Sequence, residues 1–207
     1  LDGLLALGNQ VGVEIRENAQ SNVVGSILSG EANTIAGNRS HGVHILGSET
    51  AFNRIVHNFI GTTEDELLYT GGNGGSGVVV EAGAHDNDIG QDSAGYLGNV
   101  IVFSQGAGVE VRSARKNIVA SNRIGQLPSG QVAGNQRHGV HLRSGAAENE
   151  IFGNWIANNG DSGVRVEEGS LNNAIGRDGF SGGDFNVIVG NSSHGVHISG
   201  QGSNGNG

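Results

Sequence analysis

A glycine followed by two apolar residues in alternation recurs seven times along the chain. The block reads Gly-Val-x-apolar and is headed by Gly12, Gly42, Gly77, Gly108, Gly139, Gly163 and Gly195. Its apolar positions alternate with outward ones, which is the period of a β-strand with one buried face. Because the block returns every 24 to 35 residues in the same phase, we expect seven strands stacked side by side over a common core.

Two further blocks complete each repeat. An asparagine opens a second strand at Asn22, Asn53, Asn87, Asn117, Asn149 and Asn173, and a third apolar triplet begins at 33, 59, 99, 123, 155 and 186. Asparagine suits a corner because it tolerates the αL conformation and its side chain can bond to the backbone. The pattern predicts an all-β, right-handed parallel β-helix of about six to seven coils with three short strands per coil and stacked asparagines. We assign 1–200 to this helix and 201–207 to a flexible Gly/Asn/Ser tail.

Extra residues enter the repeat at two corners. They follow the second strand in coils 1, 3 and 6 and the third strand in coils 2 and 4, at 26–32, 91–98, 177–185, 62–75 and 126–136. Loops that emerge at fixed corners of a repeat protein are where we expect elaborated function. Trp155 begins a third strand, and its exposure depends on the phase of that strand, which the pattern leaves open.

Composition and charge exclude several classes of protein. The chain of 207 residues has 39 glycines but one proline, Pro128, so it is not collagen. It has no cysteine and therefore no disulfide or thiolate metal site. Its formal net charge of −9 repels phosphate backbones, so we expect no nucleic-acid partner. No apolar run reaches the roughly 18 residues of a membrane span.

Metal binding is not favoured by the residue pattern. The motif HGVH occurs at 41–44, 138–141 and 194–197. Residues three apart on an extended strand point to opposite faces, so we expect no shared metal ion between two such histidines. Acidic runs at 64–66 and 86–88, together with Asp92, offer oxygen ligands that suit Ca²⁺, although a solvated acidic loop is the favoured interpretation. We predict no cofactor.

The outward positions of the first strand predict a charged surface. They are the second and fourth residues after each glycine, and in coils 4 to 6 they hold Glu110, Arg112, His141, Arg143, Arg165 and Glu167. Adjacent coils are about 4.8 Å apart, so these side chains fall within a patch about 10 Å tall. Guanidinium groups bind carboxylates bidentately, which suits a uronate sugar. The alternative is that the same residues form cross-coil salt bridges on a solvated sheet.

Four stretches of the chain carry a recognisable family pattern. NRIVHNFIGT at 53–62, GNGGSGVVVEAGAHDNDIG at 72–90, GNVIVFSQGAGVEV at 98–111 and NEIFGNWI at 149–156 resemble the right-handed parallel β-helix repeat proteins of bacterial secreted and surface chains, a pectate-lyase-like superfold. The resemblance covers nearly the whole chain. It implies a secreted or cell-surface location and a stalk, adhesion or glycan-contacting role.

Enzymes on this superfold include pectin and alginate lyases, polygalacturonases and C5-epimerases. The sequence lacks the paired aspartates that inverting hydrolysis needs around its water. For a lyase, His141 or Arg143 would be the base and Arg165 would neutralise the substrate carboxylate. The two tyrosines, Tyr69 and Tyr96, lie in loops several coils away.

The sequence thus leads to one functional hypothesis and one alternative. The first is a non-catalytic extracellular module, a rigid spacer or adhesive surface that contacts acidic polysaccharide. The alternative is a polysaccharide lyase or epimerase that acts on acidic glycans through the outward face of coils 4 to 6. The first and last coils present open strand edges, so we expect the module to be part of a longer chain or to be covered by another element or subunit.

Overall fold

Short strands are the regular elements of the chain. A computed structural model describes residues 8–26, 31–66, 71–90, 98–176 and 185–207, which contain β-strands and no α-helix. In chain order the strands are β1 (Val13–Ile15), β2 (Val23–Gly25), β3 (Asn33–Ile35), β4 (Val43–Leu46), β5 (Arg54–Val56), β6 (Asn58–Ile60), β7 (Val78–Glu81), β8 (Asp88–Gly90), β9 (Val100–Ile101), β10 (Val109–Arg112), β11 (Ile118–Ala120), β12 (Arg123–Ile124), β13 (Val140–Arg143), β14 (Glu150–Phe152), β15 (Trp155–Ala157), β16 (Val164–Val166), β17 (Ala174–Ile175), β18 (Val187–Val189) and β19 (Val196–Ile198). Among the described residues no helix has the length and hydropathy needed to cross a bilayer.

The strands form three parallel sheets that wind around one core. The first sheet has seven strands in the order β1-β4-β7-β10-β13-β16-β19, and the second and third have six each. Strands that are neighbours in sequence lie in different sheets, and each pairs with the equivalent strand one coil away. The predicted all-β parallel β-helix with three strands per coil is confirmed.

The core is made of stacked β-branched side chains. In the first sheet Val109 pairs with Val78 on one side and with Val140 on the other, and all three are fully buried. The β-branched side chain packs well on a pleated surface, and stacking equal residues keeps each layer of the core at the same width. The two apolar positions of each glycine-headed block therefore form the inward face of the first sheet.

Close backbone approach explains why each repeat begins with glycine. A Cβ atom built on Gly139 would lie 2.3 Å from Ile156 Cγ2 and 2.7 Å from the carbonyl oxygen of Gly163. Real Cβ atoms do not approach other atoms so closely, and the second contact is with backbone that cannot turn away. Any larger residue would push the corner away from the next coil.

Asparagines stack at all three corners of the coil, not at one. The predicted stack runs from Asn22 through Asn53, Asn87, Asn117, Asn149 and Asn173 to Asn206. A second stack joins Asn33, Asn58, Asn99, Asn122, Asn154 and Asn186, and the third joins Asn9 to Asn38 and Asn73, and Asn135 to Asn159 and Asn191. Ser104 takes the place between Asn73 and Asn135, and its N–H donates to Asn135.

Asn53 shows how a stacked asparagine is saturated with hydrogen bonds. The backbone N–H and the Nδ2 of Asn53 both donate to Oδ1 of Asn87 at 3.0 Å, and Nδ2 also donates to the carbonyls of Ala19 and Ala51. The left-handed conformation falls on the preceding residue, as at Phe52, where φ is 58°. The stacked asparagines therefore serve the corners through the hydrogen bonds of their side chains and not through the αL conformation.

The final residues of the chain continue this scheme. Asn206 accepts hydrogen bonds from the N–H and Nδ2 of Asn173, and Gly207 accepts one from the N–H of Ile175. The segment 201–207, expected to be a flexible tail, thus carries the next position of the first stack. The loops expected at 26–32, 91–98 and 177–185 lie largely outside the described residues, as do Tyr69, Tyr96 and Asp92.

Candidate functional site

The outward side of the first sheet is built from the slots that the sequence indicates. One outward register across the seven strands holds Glu14, His44, Val79, Glu110, His141, Arg165 and His197. Glu81, Arg112 and Arg143 share the register two residues on. We call the outward side chains of Glu81, Glu110, Arg112, His141, Arg143, Arg165 and Glu167 the charged face. All of these except Glu81 were expected to lie together, and the pairing of β10, β13 and β16 brings them together.

Carboxylates hold the arginines of the charged face. Arg143 Nε donates to Glu110 Oε1 at 2.8 Å, and Arg112 pairs with Glu81 through Nε and with Glu110 through Nη1. Each of these contacts joins neighbouring coils or two positions of one strand. The guanidinium groups that were predicted to receive a uronate are therefore already bound to carboxylates of the chain itself.

Glu110 is the centre of this network. Only 8% of the residue is exposed, and its carboxylate accepts hydrogen bonds from Ser76 Oγ at 2.8 Å as well as from the two arginines. Burial acts to raise the pKa of Glu110, but the hydrogen bonds from Ser76 and Arg143 and the charges of both arginines together lower it. Glu110 is consequently ionised at neutral pH.

His141, Glu167 and Arg165 form a second group beside the first. His141 Nε2 lies 2.9 Å from Glu167 Oε1, while Arg165 Nε donates to Glu167 Oε2 at 2.9 Å and Arg165 Nη1 contacts His197. Burial lowers the pKa of His141, although Glu167 acts to raise it. The pKa of Glu167 is lowered despite its partial desolvation, because Arg165 and His141 bond to it.

The two histidines of each HGVH motif contact one another, so the prediction that they point to opposite faces is wrong. The ring centroids of His41 and His44 are 5.4 Å apart, those of His138 and His141 4.6 Å, and those of His194 and His197 4.3 Å. The strands begin only after the glycine, and the chain bends at the two residues before the first histidine and at the glycine that follows it. Those bends fold the first ring back over the sheet.

The first histidine of the motif serves the neighbouring coil. His41 Nδ1 accepts the N–H of Ser76 at 3.1 Å, and His138 Nδ1 accepts that of Ser162 at 3.3 Å. Burial, with the charge of His141 adding to it, lowers the pKa of His138 to about 4. These rings are neutral acceptors that satisfy backbone groups of the next coil.

A shallow depression of about 380 Å³ lies over the charged face. It is lined by residues that include His41, Ser76, Glu110, His141, Arg143 and Glu167. General acid catalysis needs a protonated donor near the working pH, and the pKa values of Glu81, Glu110 and Glu167 are all lowered. His141 and Arg143, the candidate catalytic residues, are joined to Glu167 and Glu110 respectively.

A second concave surface lies on the third sheet and was not assigned from sequence. It has a volume of about 590 Å³ and is lined by residues that include His57, Phe59, Glu64, Arg123, Pro128 and Trp155. We call it the Trp155 groove. The repeat pattern could place its strands but not its walls, because Glu64 and Pro128 belong to loops that occur once each.

Comparison with known proteins agrees with this fold. Residues 70–204, or 135 of 207, match the model of a family named NosD and described as periplasmic copper-binding protein. The chain belongs to the NosD family. No protein of curated function matches the chain. The resemblance to right-handed β-helix repeat proteins noted in the sequence is confirmed by NosD membership and by the fold.

A solved structure shares the fold of this NosD-family chain. It is the A-module of a mannuronan C-5 epimerase from Azotobacter vinelandii, with a TM-score of 0.56 and 20% sequence identity. The alignment covers 96% of the chain and 54% of that structure, so the chain spans about half the length of the epimerase module.

The donor groups of this NosD-family chain do not fit copper. The chain has neither cysteine nor methionine, the soft ligands that select Cu(I). The described residues, which include all eight histidines, hold no group of three or more histidine, aspartate or glutamate side chains that could bind a metal ion. In the acidic run at 86–88, Asp86 is bonded to His85 and Asp88 pairs with Arg54.

Proposed function

We propose that the chain is a non-catalytic module of a protein that works outside the cytoplasm, where its rigid β-helix contacts polysaccharide. One observation carries the non-catalytic part: the candidate base and neutralising groups of the charged face are bound to carboxylates of the chain itself. Glu110 holds Arg112 and Arg143, and Glu167 holds Arg165 and His141. In a lyase or epimerase, a substrate carboxylate would have to compete with Glu110 and Glu167 for these arginines.

Two observations support the location and the kind of partner. The NosD family is described as periplasmic, and the epimerase whose module shares the fold acts on mannuronan. The stacked coils also make a stiff support, because three corners are tied by saturated asparagines from one coil to the next. A stiff side surface suits a long polymer, which can lie along several coils at once.

The test measures binding and turnover in the same samples. The full chain is incubated with alginate, pectate and hyaluronan. Binding is followed by affinity electrophoresis, new double bonds by ultraviolet absorbance, and the epimer content of the uronates by NMR. We expect retardation by at least one glycan with no rise in absorbance and no change in epimer content. Turnover of any of them would establish the enzyme alternative, and the absence of binding to all three would refute contact with polysaccharide.

A further inference from the structure

We propose that the Trp155 groove, and not the charged face, is where a uronate-bearing glycan chain binds. This inference rests on the proposed contact with polysaccharide and adds its location. The groove follows the outward side of the third sheet, where Phe59, Val100, Arg123 and Trp155 occupy one register on four successive coils. Four coils at about 4.8 Å spacing give a track roughly 14 Å long.

Aromatic side chains provide the floor of the track. Trp155 is 37% exposed although it begins a strand of the core repeat, and its neighbour two positions along that strand, Ala157, is buried. Phe59 lies at the other end of the track and is partly buried. The apolar face of a sugar ring packs on such rings and removes apolar area from water on both sides.

Arg123 supplies the charge between these two aromatic residues. Its guanidinium carbon lies 5.6 Å from the centroid of the Trp155 ring, and Nη1 donates to Gln126 Oε1 at 3.3 Å. Within the described residues no carboxylate lies within 4.0 Å of this guanidinium, unlike those of Arg112, Arg143 and Arg165. Arg123 therefore keeps donors for the carboxylate of a ligand, and the ring below orients them.

The walls of the groove are fixed rather than loose. A hairpin forms one wall, closed by an antiparallel bridge between Gln126 and Val132. Leu127, 3% exposed, anchors it in a small apolar cluster with Val100, Val102 and Ala133. The loop of the second coil meets the hairpin where Ser129 N–H donates to Glu66 Oε1 at 3.0 Å.

Polar groups along the rim suit sugar hydroxyls. His57 and Ser121 line the groove at the corner between the second and third sheets, and Glu64 lines it from the loop of the second coil. Glu64 is exposed, and its negative charge repels an acidic ligand. This residue therefore provides a test of whether the ligand is acidic. If the ligand carries carboxylates, removal of this one acidic group should strengthen binding.

The sole tryptophan of the chain makes the groove directly observable. The probes are short oligomers of galacturonate and of mannuronate, with a cello-oligosaccharide of equal length as the neutral control. Titration of the wild-type chain with an acidic oligomer should change the Trp155 fluorescence with the same midpoint as calorimetric binding. The neutral oligomer should bind at least about tenfold more weakly, because it lacks the charge-assisted bond to Arg123.

Variants on the two surfaces separate them. R123Q should weaken acidic oligomer binding about tenfold and E64Q should strengthen it about twofold, while R143Q on the charged face should leave it unchanged. Circular dichroism confirms that each variant is folded. Binding that survives R123Q and is lost in R143Q, or that leaves Trp155 fluorescence unchanged, would overturn the groove but not the proposed contact with polysaccharide.

Two further outcomes also count against the groove. If neither acidic oligomer binds the wild-type chain while alginate, pectate or hyaluronan still retards it, the groove assignment fails and the proposed contact with polysaccharide stands. If Trp155 fluorescence changes with protein concentration alone, and sedimentation shows a dimer, the groove binds a second copy of the chain instead of a glycan.

Discussion

The charged face and the Trp155 groove are two sides of the same coils, and they use arginine in opposite ways. Arg143 lies against Glu110, and the pair ties one coil to the next. Arg123 has an amide oxygen and an aromatic ring as its neighbours. An arginine cluster therefore indicates a ligand only after its carboxylate partners within the chain have been counted. The three clustered arginines are each bonded to a carboxylate of the chain, whereas Arg123 has no carboxylate partner among the described residues.

The largest effect we expect would destroy both surfaces together. Val140 is fully buried between Val109 and Val164, so V140D would place an unpaired carboxylate in the core at a cost of about 4 kcal/mol or more. Thermal unfolding followed by circular dichroism should show a partly or wholly unfolded chain. The matched control is V132D, because Val132 is 69% exposed and the same substitution there should change stability by less than about 0.5 kcal/mol. A native-like V140D chain would contradict the inward assignment.

Acid should lower the stability of the chain through His138, which contacts His141 of the charged face. His138 takes up a proton near pH 6.5 in the unfolded chain but has a pKa of about 4 in the folded chain. The stability that its neutral form contributes is therefore fully present above pH 6.5. As pH falls from about 6.5 to 4 the unfolded chain binds a proton that the folded chain does not, and stability declines by up to about 3 kcal/mol. Denaturant unfolding at a series of pH values should show this decline, and H138Q should flatten it. An imidazole NMR titration of His138 with a midpoint near 6.5 would refute the expectation.

The groove alone should respond to loss of its anchor. L127A removes the buried side chain under the hairpin and should cost about 2 kcal/mol, at the low end for such a change because the cluster is small. The emission of Trp155 should shift to longer wavelength as the hairpin loosens, while NMR signals of the Arg112 and Arg143 Nε–H groups stay in place. V132A in the same hairpin should leave both unchanged. Movement of the arginine signals in L127A would mean that the two sides are not independent.

The smallest effect distinguishes the two kinds of arginine most directly. R143Q leaves the buried carboxylate of Glu110 short of one charged donor and should cost about 1–2 kcal/mol. R123Q breaks no ion pair of the described residues and should change stability by less than about 0.5 kcal/mol. Chemical denaturation of both variants at pH 7 measures the difference. Equal costs would show that Arg123 has a structural partner after all.

Sequence alone predicts the repeating part of the molecule well. The outward register from Glu14 to His197 and the first asparagine stack follow from period-2 alternation and from residues that recur in one phase. The asparagines of the other two stacks also recur in one phase, since Asn58 opens a strand of the third sheet and Asn135 lies five residues before a strand of the first.

The functional part is harder to predict because it depends on more than the repeating pattern. The contact between His138 and His141 depends on a bend that period-2 reasoning treats as extended strand. The state of Arg143 depends on which rotamer reaches Glu110 across coils, and the groove depends on a hairpin that, in the described part of the chain, closes in one coil. The histidine contact recurs at all three HGVH motifs, but its first ring stands outside the strand, where alternation says nothing of direction.

The asparagine stacks have a consequence for how such a molecule can change its length. With Ser104 as the exception, the described coils present to their neighbours the same two amide donors on one side and the same amide oxygen on the other, at three corners. Any coil that keeps these asparagines can follow any other, whatever its loops contain. A gene encoding this fold can thus gain or lose whole coils by duplication or deletion without disturbing those that remain, and the distance it spans changes in steps of about 4.8 Å.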